Sequence, residues 1–192
     1  MDVGMMMLFA AYGWENISDD QVWEEELRLA RIAAGSGFNV LWSAEHHFFD
    51  YSFCPDNLQL MTYLAGACPG IDLGTAAVIL PWHDPVRVAE QAVVLDLLCK
   101  GRLRLGLGRG LARREFAAFR GTMDESRARF DEAAPMIVDA LRTGFMEGNG
   151  KTISSRVSSC DRGRNTASTI VSTQSHRARI LWNPPPGSAP TW

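Results

Sequence analysis

Residues 71–110 read IDLGTAAVIL PWHDPVRVAE QAVVLDLLCK GRLRLGLGRG, and this stretch decides the fold. Ile71–Leu80 is a near-continuous apolar run of strand length. Asp84-Pro85 is a helix start, an N-cap acid followed by proline at the first helical position. That helix runs to about Leu98, and Gly101 closes it. Arg102–Leu107 is then a second apolar strand. Two strands of this kind joined by a helix make the crossover unit of a parallel sheet.

The same unit repeats on either side. Residues 3–9 (VGMMMLF) are an apolar strand, and Ser18-Asp19-Asp20-Gln21 is a capping box. Behind it Trp23, Leu27, Ala30 and Ala34 recur at helical spacing until Gly35 and Gly37. Phe38–Ser43 is the next strand, and Asp56–Ala67 is a helix. Thr122-Met123-Asp124-Glu125 is a second capping box, opening a helix to about Thr143. Pro135 lies inside that helix and is expected to kink it, at a cost of about 3 kcal/mol. The order is β-α-β-α-β-α-β-α, which fits a doubly wound sheet or a (β/α)8 barrel. A full barrel needs about 250 residues, so residues 1–151 supply about four of its eight units.

Composition divides the chain near Lys151. The 192 residues hold 19 Lys+Arg and 22 Asp+Glu, a net charge of −3 that offers nothing to nucleic acid. Residues 152–192 hold five Arg, no Lys and one acid, Asp161, with 13 Ser/Thr and a PPP run at Pro184–Pro186. No strand or helix signal is found there, and this Ser/Thr/Arg/Pro-rich tail is expected to be disordered. Its composition is that of an out-of-frame translation of a GC-rich gene, so a truncated or frameshifted chain is expected. No apolar run reaches the roughly 20 residues of a membrane span, and residues 1–11 lack the basic start of a secretory signal. Cys54, Cys68, Cys99 and Cys160 are widely spaced, so no metal site is expected. Reduced thiols and a cytoplasmic location are the expectation.

In a parallel α/β fold, ligands bind at the carboxyl ends of the strands. Three motifs fall there. Glu45-His46-His47-Phe48 follows the second strand. Successive side chains of an extended segment alternate, so at most one of the two histidines faces a given pocket. Leu80-Pro81-Trp82-His83-Asp84-Pro85 follows the third strand, where the acid and proline are already explained as a helix start. Gly106-Leu107-Gly108-Arg109-Gly110 ends the fourth. It begins like a dinucleotide fingerprint, but Leu111 stands where the third glycine belongs. Its glycines admit an anion to the backbone, and Arg109 is a forked donor suited to phosphate; a tight strand-to-helix turn explains the same glycines.

Taken together, these segments resemble the bacterial luciferase family of flavin-dependent monooxygenases over about residues 3–150. The matching pieces are Gly37-Phe38, Glu45-His46-His47-Phe48, Asn57, Gly74 through Pro81, His83 through Glu90, and Gly101 through Gly110. The resemblance implies an α/β fold, a parallel (β/α) barrel that is incomplete here, with a non-matching C-terminal tail. It implies reduced flavin, FMN or F420 as the alternative, at the strand carboxyl ends. It places His46 near the reacting carbon of the flavin as the catalytic histidine. It makes Ala76-Ala77 the non-proline cis peptide under the flavin ring and Arg109 the phosphate ligand. Glu45 and His47 then support the site from behind, and Asn57, Arg87 and Glu90 receive no role. The implied partners are a small organic substrate, molecular oxygen and a flavin reductase, with a homo-oligomer as a further expectation. The alternative is a non-catalytic half-barrel, either an inert fragment or a protein that binds flavin or oligomerises.

Overall fold

The computed structural model describes residues 1–11, 16–150 and 153–159. Strands β1 (Gly4–Met7) and β2 (Val40–Ser43) form as the sequence predicts. The third expected strand is split into β3 (Asp72–Thr75) and β4 (Val78–Ile79). The fourth is split into β5 (Leu103–Arg104) and β6 (Leu107–Gly108). The main sheet is parallel in the order β1-β2-β3-β5, and β4 pairs with β6 in a second parallel pair. Spatial neighbours are sequence neighbours, joined by α1 (Asp19–Gly35), α2 (Asn57–Ala67) and α3 (Pro85–Leu98). Such one-directional winding is that of a barrel wall, because a doubly wound sheet reverses its strand order.

The caps explain where the helices begin. Gln21 Oε1 accepts the Ser18 N–H at 3.1 Å, and Asp56 Oδ1 accepts the Gln59 N–H at 2.8 Å. Asp84 Oδ1 accepts from the N–H groups of Val86 and Arg87, two donors that otherwise lack partners at a helix start. Leu41, Leu73 and Leu103 occupy one register layer and face the helices. There they meet Ala30 and Ala33 of α1, Leu60 and Leu64 of α2, and Val88, Ala92 and Leu95 of α3. The other face carries the layer Met6, Trp42, Gly74 and Arg104. Trp42 lies across Gly74, where any Cβ would strike the indole ring. Arg104 ties that face together, with its Nε 2.8 Å from Asp72 Oδ2 and an Nη 3.0 Å from Asp2 Oδ2.

Several expectations are corrected. The split of the third strand follows from a change of hydrogen-bond partner. The Ala76 N–H donates to the Ser43 carbonyl (2.7 Å), whereas the Val78 N–H donates to the Gly106 carbonyl (2.9 Å). A short helix α4 (Arg113–Ala118) follows β6; it is only six residues long and has no capping side chain, so no sequence signal marks it. Thr122 does not cap the next helix. Its carbonyl accepts the Glu125 N–H within a 3-10 turn, and α5 begins at Ser126. Helix α5 (Ser126–Thr143) does run through Pro135 to Thr143, as the sequence predicts. Beyond it β7 (Phe145–Asn149) pairs antiparallel with β8 (Ser154–Ser159), so regular structure extends past Lys151. The disorder expected over the rest of the tail, 160–192, lies outside the described residues.

Candidate functional site

The carboxyl end of β2 delivers Glu45, His46 and His47 to the rim of the sheet, and the two histidines part company there. The His47 ring turns inward. Its Nε2 lies 3.2 Å from Glu45 Oε1, and its edge meets Trp82 and Phe119 at ring centroid distances of 5.3 and 4.7 Å. The His46 ring remains one-third exposed, with Nδ1 3.2 Å from Glu115 Oε1. The alternation of an extended segment thus separates the pair, as the sequence predicts.

Glu45 is the hub of the inner side. Its carboxylate is buried and accepts three hydrogen bonds, from His83 Nε2 (2.7 Å), from His47 Nε2 (3.2 Å) and from the Ile79 N–H (2.9 Å). Burial works to raise the Glu45 carboxyl. The bonds from His47, His83 and Ile79, with the His83 charge, outweigh it and hold the carboxyl below its ordinary value. The reverse applies to His83: burial works to lower it, and the Glu45 carboxylate, helped by Asp56, raises it.

Between β3 and β4 the Ala76-Ala77 peptide bond is cis. Ala76 is exposed and Ala77 half-buried, so two methyl groups form an open floor at the strand ends. Buried Asn57 braces this floor by donating to the Ala77 carbonyl (3.1 Å) and to the carbonyl of Ser43 (3.4 Å), at the end of β2. A Cβ at Gly108 would meet the Ala77 methyl at 3.1 Å, so the glycine permits the close approach of β6. Arg109 is exposed and takes no hydrogen bond or ion pair among the described residues. His46, Ala76, Ala77 and Arg109 therefore share one end of the sheet, with Asn57 and Gly108 as the physical links. Arg87 and Glu90 lie elsewhere, on α3, and pair with each other at 3.4 Å.

Cys54, Cys68 and Cys99 are buried and free, and burial pushes the Cys54 thiol up to about 11. Among the described residues no three His, Cys, Asp or Glu are grouped to hold a metal ion, and no helix is long and apolar enough to cross a membrane.

The model of the luciferase-like monooxygenase family matches residues 1–178. The chain belongs to this family. The match runs beyond Lys151, where the composition changes. Among curated relatives, the alkanal monooxygenase alpha chain of Photorhabdus luminescens is 35% identical over 136 residues, 71% of this chain and 38% of that protein. The oxygenase component of the flavin-dependent trigonelline monooxygenase of Acinetobacter baylyi is 31% identical over 143 residues. The crystal structure of monooxygenase RslO1 from Streptomyces bottropensis superimposes with a TM-score of 0.77 at 30% identity, over 85% of this chain and 50% of that one. At 19% identity, the FMN complex of the oxygenating constituent of 3,6-diketocamphane monooxygenase from Pseudomonas putida shares the fold, with a TM-score of 0.70. The chain spans about two-fifths of the length of the curated relatives it matches.

Within this luciferase-like fold one charged residue escaped the sequence reading. Glu115, on α4, is buried, and its Oε1 accepts the His47 N–H at 2.8 Å while meeting His46 Nδ1. The sole signal for it was an acid standing among Arg113, Arg114 and Arg120 soon after the glycine-rich motif.

Proposed function

We propose that this chain carries the flavin-holding face of a flavin-dependent monooxygenase that oxidises a small organic molecule with molecular oxygen. The observation that carries this reading is the braced Ala76-Ala77 floor beside His46 at the strand carboxyl ends. The residues fit a flavin. A flat ring needs a floor without protruding side chains, and Ala76, Ala77 and Gly108 provide one. A phosphate needs an uncommitted cation, and Arg109 is exposed with no internal partner among the described residues. FMN is favoured over F420, because a relative above 30% identity is named a flavin-dependent oxygenase, whereas the likeness to an F420-dependent reductase is 16% identical and bears on the fold alone.

When bound, reduced flavin supplies the electrons and activates oxygen; the protein orients it and limits water. Ala76 and Ala77 support the ring, Arg109 holds the phosphate, and His46 moves a proton at Nε2. A separate flavin reductase delivers the reduced cofactor, in keeping with the naming of the Acinetobacter relative as an oxygenase component. A second reading, a non-catalytic half-barrel that binds flavin or oligomerises, is favoured by the exposure of Met6 on the inner sheet face. Product formation in a reductase-coupled assay separates the two.

Fluorescence titration with FMN, F420 and riboflavin tests the site. The 192-residue chain is expected to bind FMN more weakly than the low-micromolar range, because the described sheet walls the ring on one side only. Arg109→Ala is expected to weaken FMN binding about tenfold and to leave riboflavin, which lacks the phosphate, unchanged. Equal effects on both ligands would remove Arg109 from the phosphate role.

A further inference from the structure

We propose that Glu115 is a positioning residue for His46: its carboxylate fixes the imidazole in the tautomer protonated at Nδ1 and leaves Nε2 as the free basic nitrogen. Glu115 is 1% exposed, and the 3.2 Å contact joins its Oε1 to His46 Nδ1 across 69 residues of sequence. An ionised carboxylate only accepts, so the ring nitrogen that faces it must donate. The same oxygen takes the His47 N–H at 2.8 Å, which anchors the acid to the backbone of the segment it orients. Burying an acid is costly unless its oxygens are satisfied. Oε1 of this one meets the 46–47 segment twice, at the His46 ring and at the His47 N–H.

The arrangement has a counterpart on the inner side. Glu45 holds His47 and His83, so adjacent histidines are held by different acids on different elements. Of the other groups around His46, Tyr51 lies nearby with its ring centroid 5.7 Å away, and the Cys54 carbonyl accepts the His46 backbone N–H at 3.2 Å. The contact that reaches a ring nitrogen of His46 is that of Glu115, at Nδ1. A fixed second partner of this kind is how imidazoles are oriented and tuned in many sites.

Nitrogen-15 histidine spectra of the 192-residue chain test this, with the His46 signals assigned by their loss in His46→Gln. The Nδ1–H form is expected to dominate in the parent chain. Glu115→Gln keeps an acceptor for the His47 N–H but removes the charge, and is expected to lower the Nδ1–H to Nε2–H ratio roughly tenfold. Glu115→Leu abolishes the preference, and Glu115→Asp restores most of it. Should the leucine variant fail to fold by circular dichroism, the glutamine and aspartate variants decide the matter. An unchanged ratio in Glu115→Gln, or an Nε2–H form in the parent chain, would overturn the proposal. The importance of Glu115 in turnover rests on the flavin-site reading, but the spectra require neither flavin nor activity. Failure of flavin to bind therefore leaves the tautomer result standing, and an unchanged tautomer sinks the proposal even if flavin binds.

Discussion

Glu45→Ala is expected to lower the free energy of unfolding by about 3–5 kcal/mol, measured by urea denaturation. The size follows from what the carboxylate satisfies. Its Oε2 is the acceptor for the Ile79 N–H, and Ile79 is in the core, so that donor would be left with no partner. Its Oε1 holds the Nε2 atoms of both His47 and His83. One truncation therefore deprives three donors of their acceptor, one in β4 and two in the loops at the strand ends, and leaves a small cavity behind β4. Glu45→Gln is the milder change. It keeps an acceptor for Ile79 and removes the charge that the two histidines face.

The pH dependence of that difference has a definite sign. The folded Glu45 carboxyl titrates below its ordinary 4.5, so its contribution is present above pH 4.5 and is lost as pH falls through the depressed folded value. Folded His83 titrates above its ordinary 6.5, so its contribution is full below pH 6.5 and is lost as pH rises through the raised folded value. The two overlap between pH 4.5 and 6.5. The stability gap between the parent chain and Glu45→Gln is expected to be widest in that window and to narrow toward pH 9. A gap independent of pH would mean that the Glu45–His83 pair is not ionised.

What was legible in the sequence is what is local. Ser18 with Gln21, Asp56, and Asp84 with Pro85 place three helix starts because a cap acts within one turn. Apolar runs located the strands, and their alternation with helices gave the parallel wall. The interruptions within the third and fourth strands were not legible. They arise where Ala76 bonds to Ser43 and Val78 to Gly106, partners about 30 residues away. Strand β8 was missed for a different reason: SSRVSS carries almost no apolar alternation. At the site, the motifs found His46 and Glu45 but not Glu115. Its contact with the 46–47 segment comes only from folding α4 back over the end of β2, which no spacing rule encodes.

The same long-range dependence makes Gly106 a demanding position in the fold. A Cβ there would collide with the backbone carbonyl oxygen of Thr75, and backbone cannot rotate out of the way as a side chain can. The two residues are also clasped: the Gly106 N–H donates to Thr75 Oγ1 (2.9 Å), and the Thr75 hydroxyl donates to the Gly106 carbonyl (2.9 Å). That carbonyl further accepts the Val78 N–H, so any displacement of residue 106 pulls on both sides of the Ala76-Ala77 floor. Gly106→Ala is therefore expected to cost about 3–4 kcal/mol, the sum of overpacking and weakened buried hydrogen bonds. Gly66 in α2 provides the contrast. A Cβ there meets nothing within 4 Å, and Gly66→Ala is expected to stabilise the chain by about 0.5–1 kcal/mol, as alanine does in a helix. Thermal melts of the two variants should move in opposite directions. If both are neutral, β3 and β5 do not approach as closely as the Thr75–Gly106 clasp requires, and the floor beside His46 loses its support.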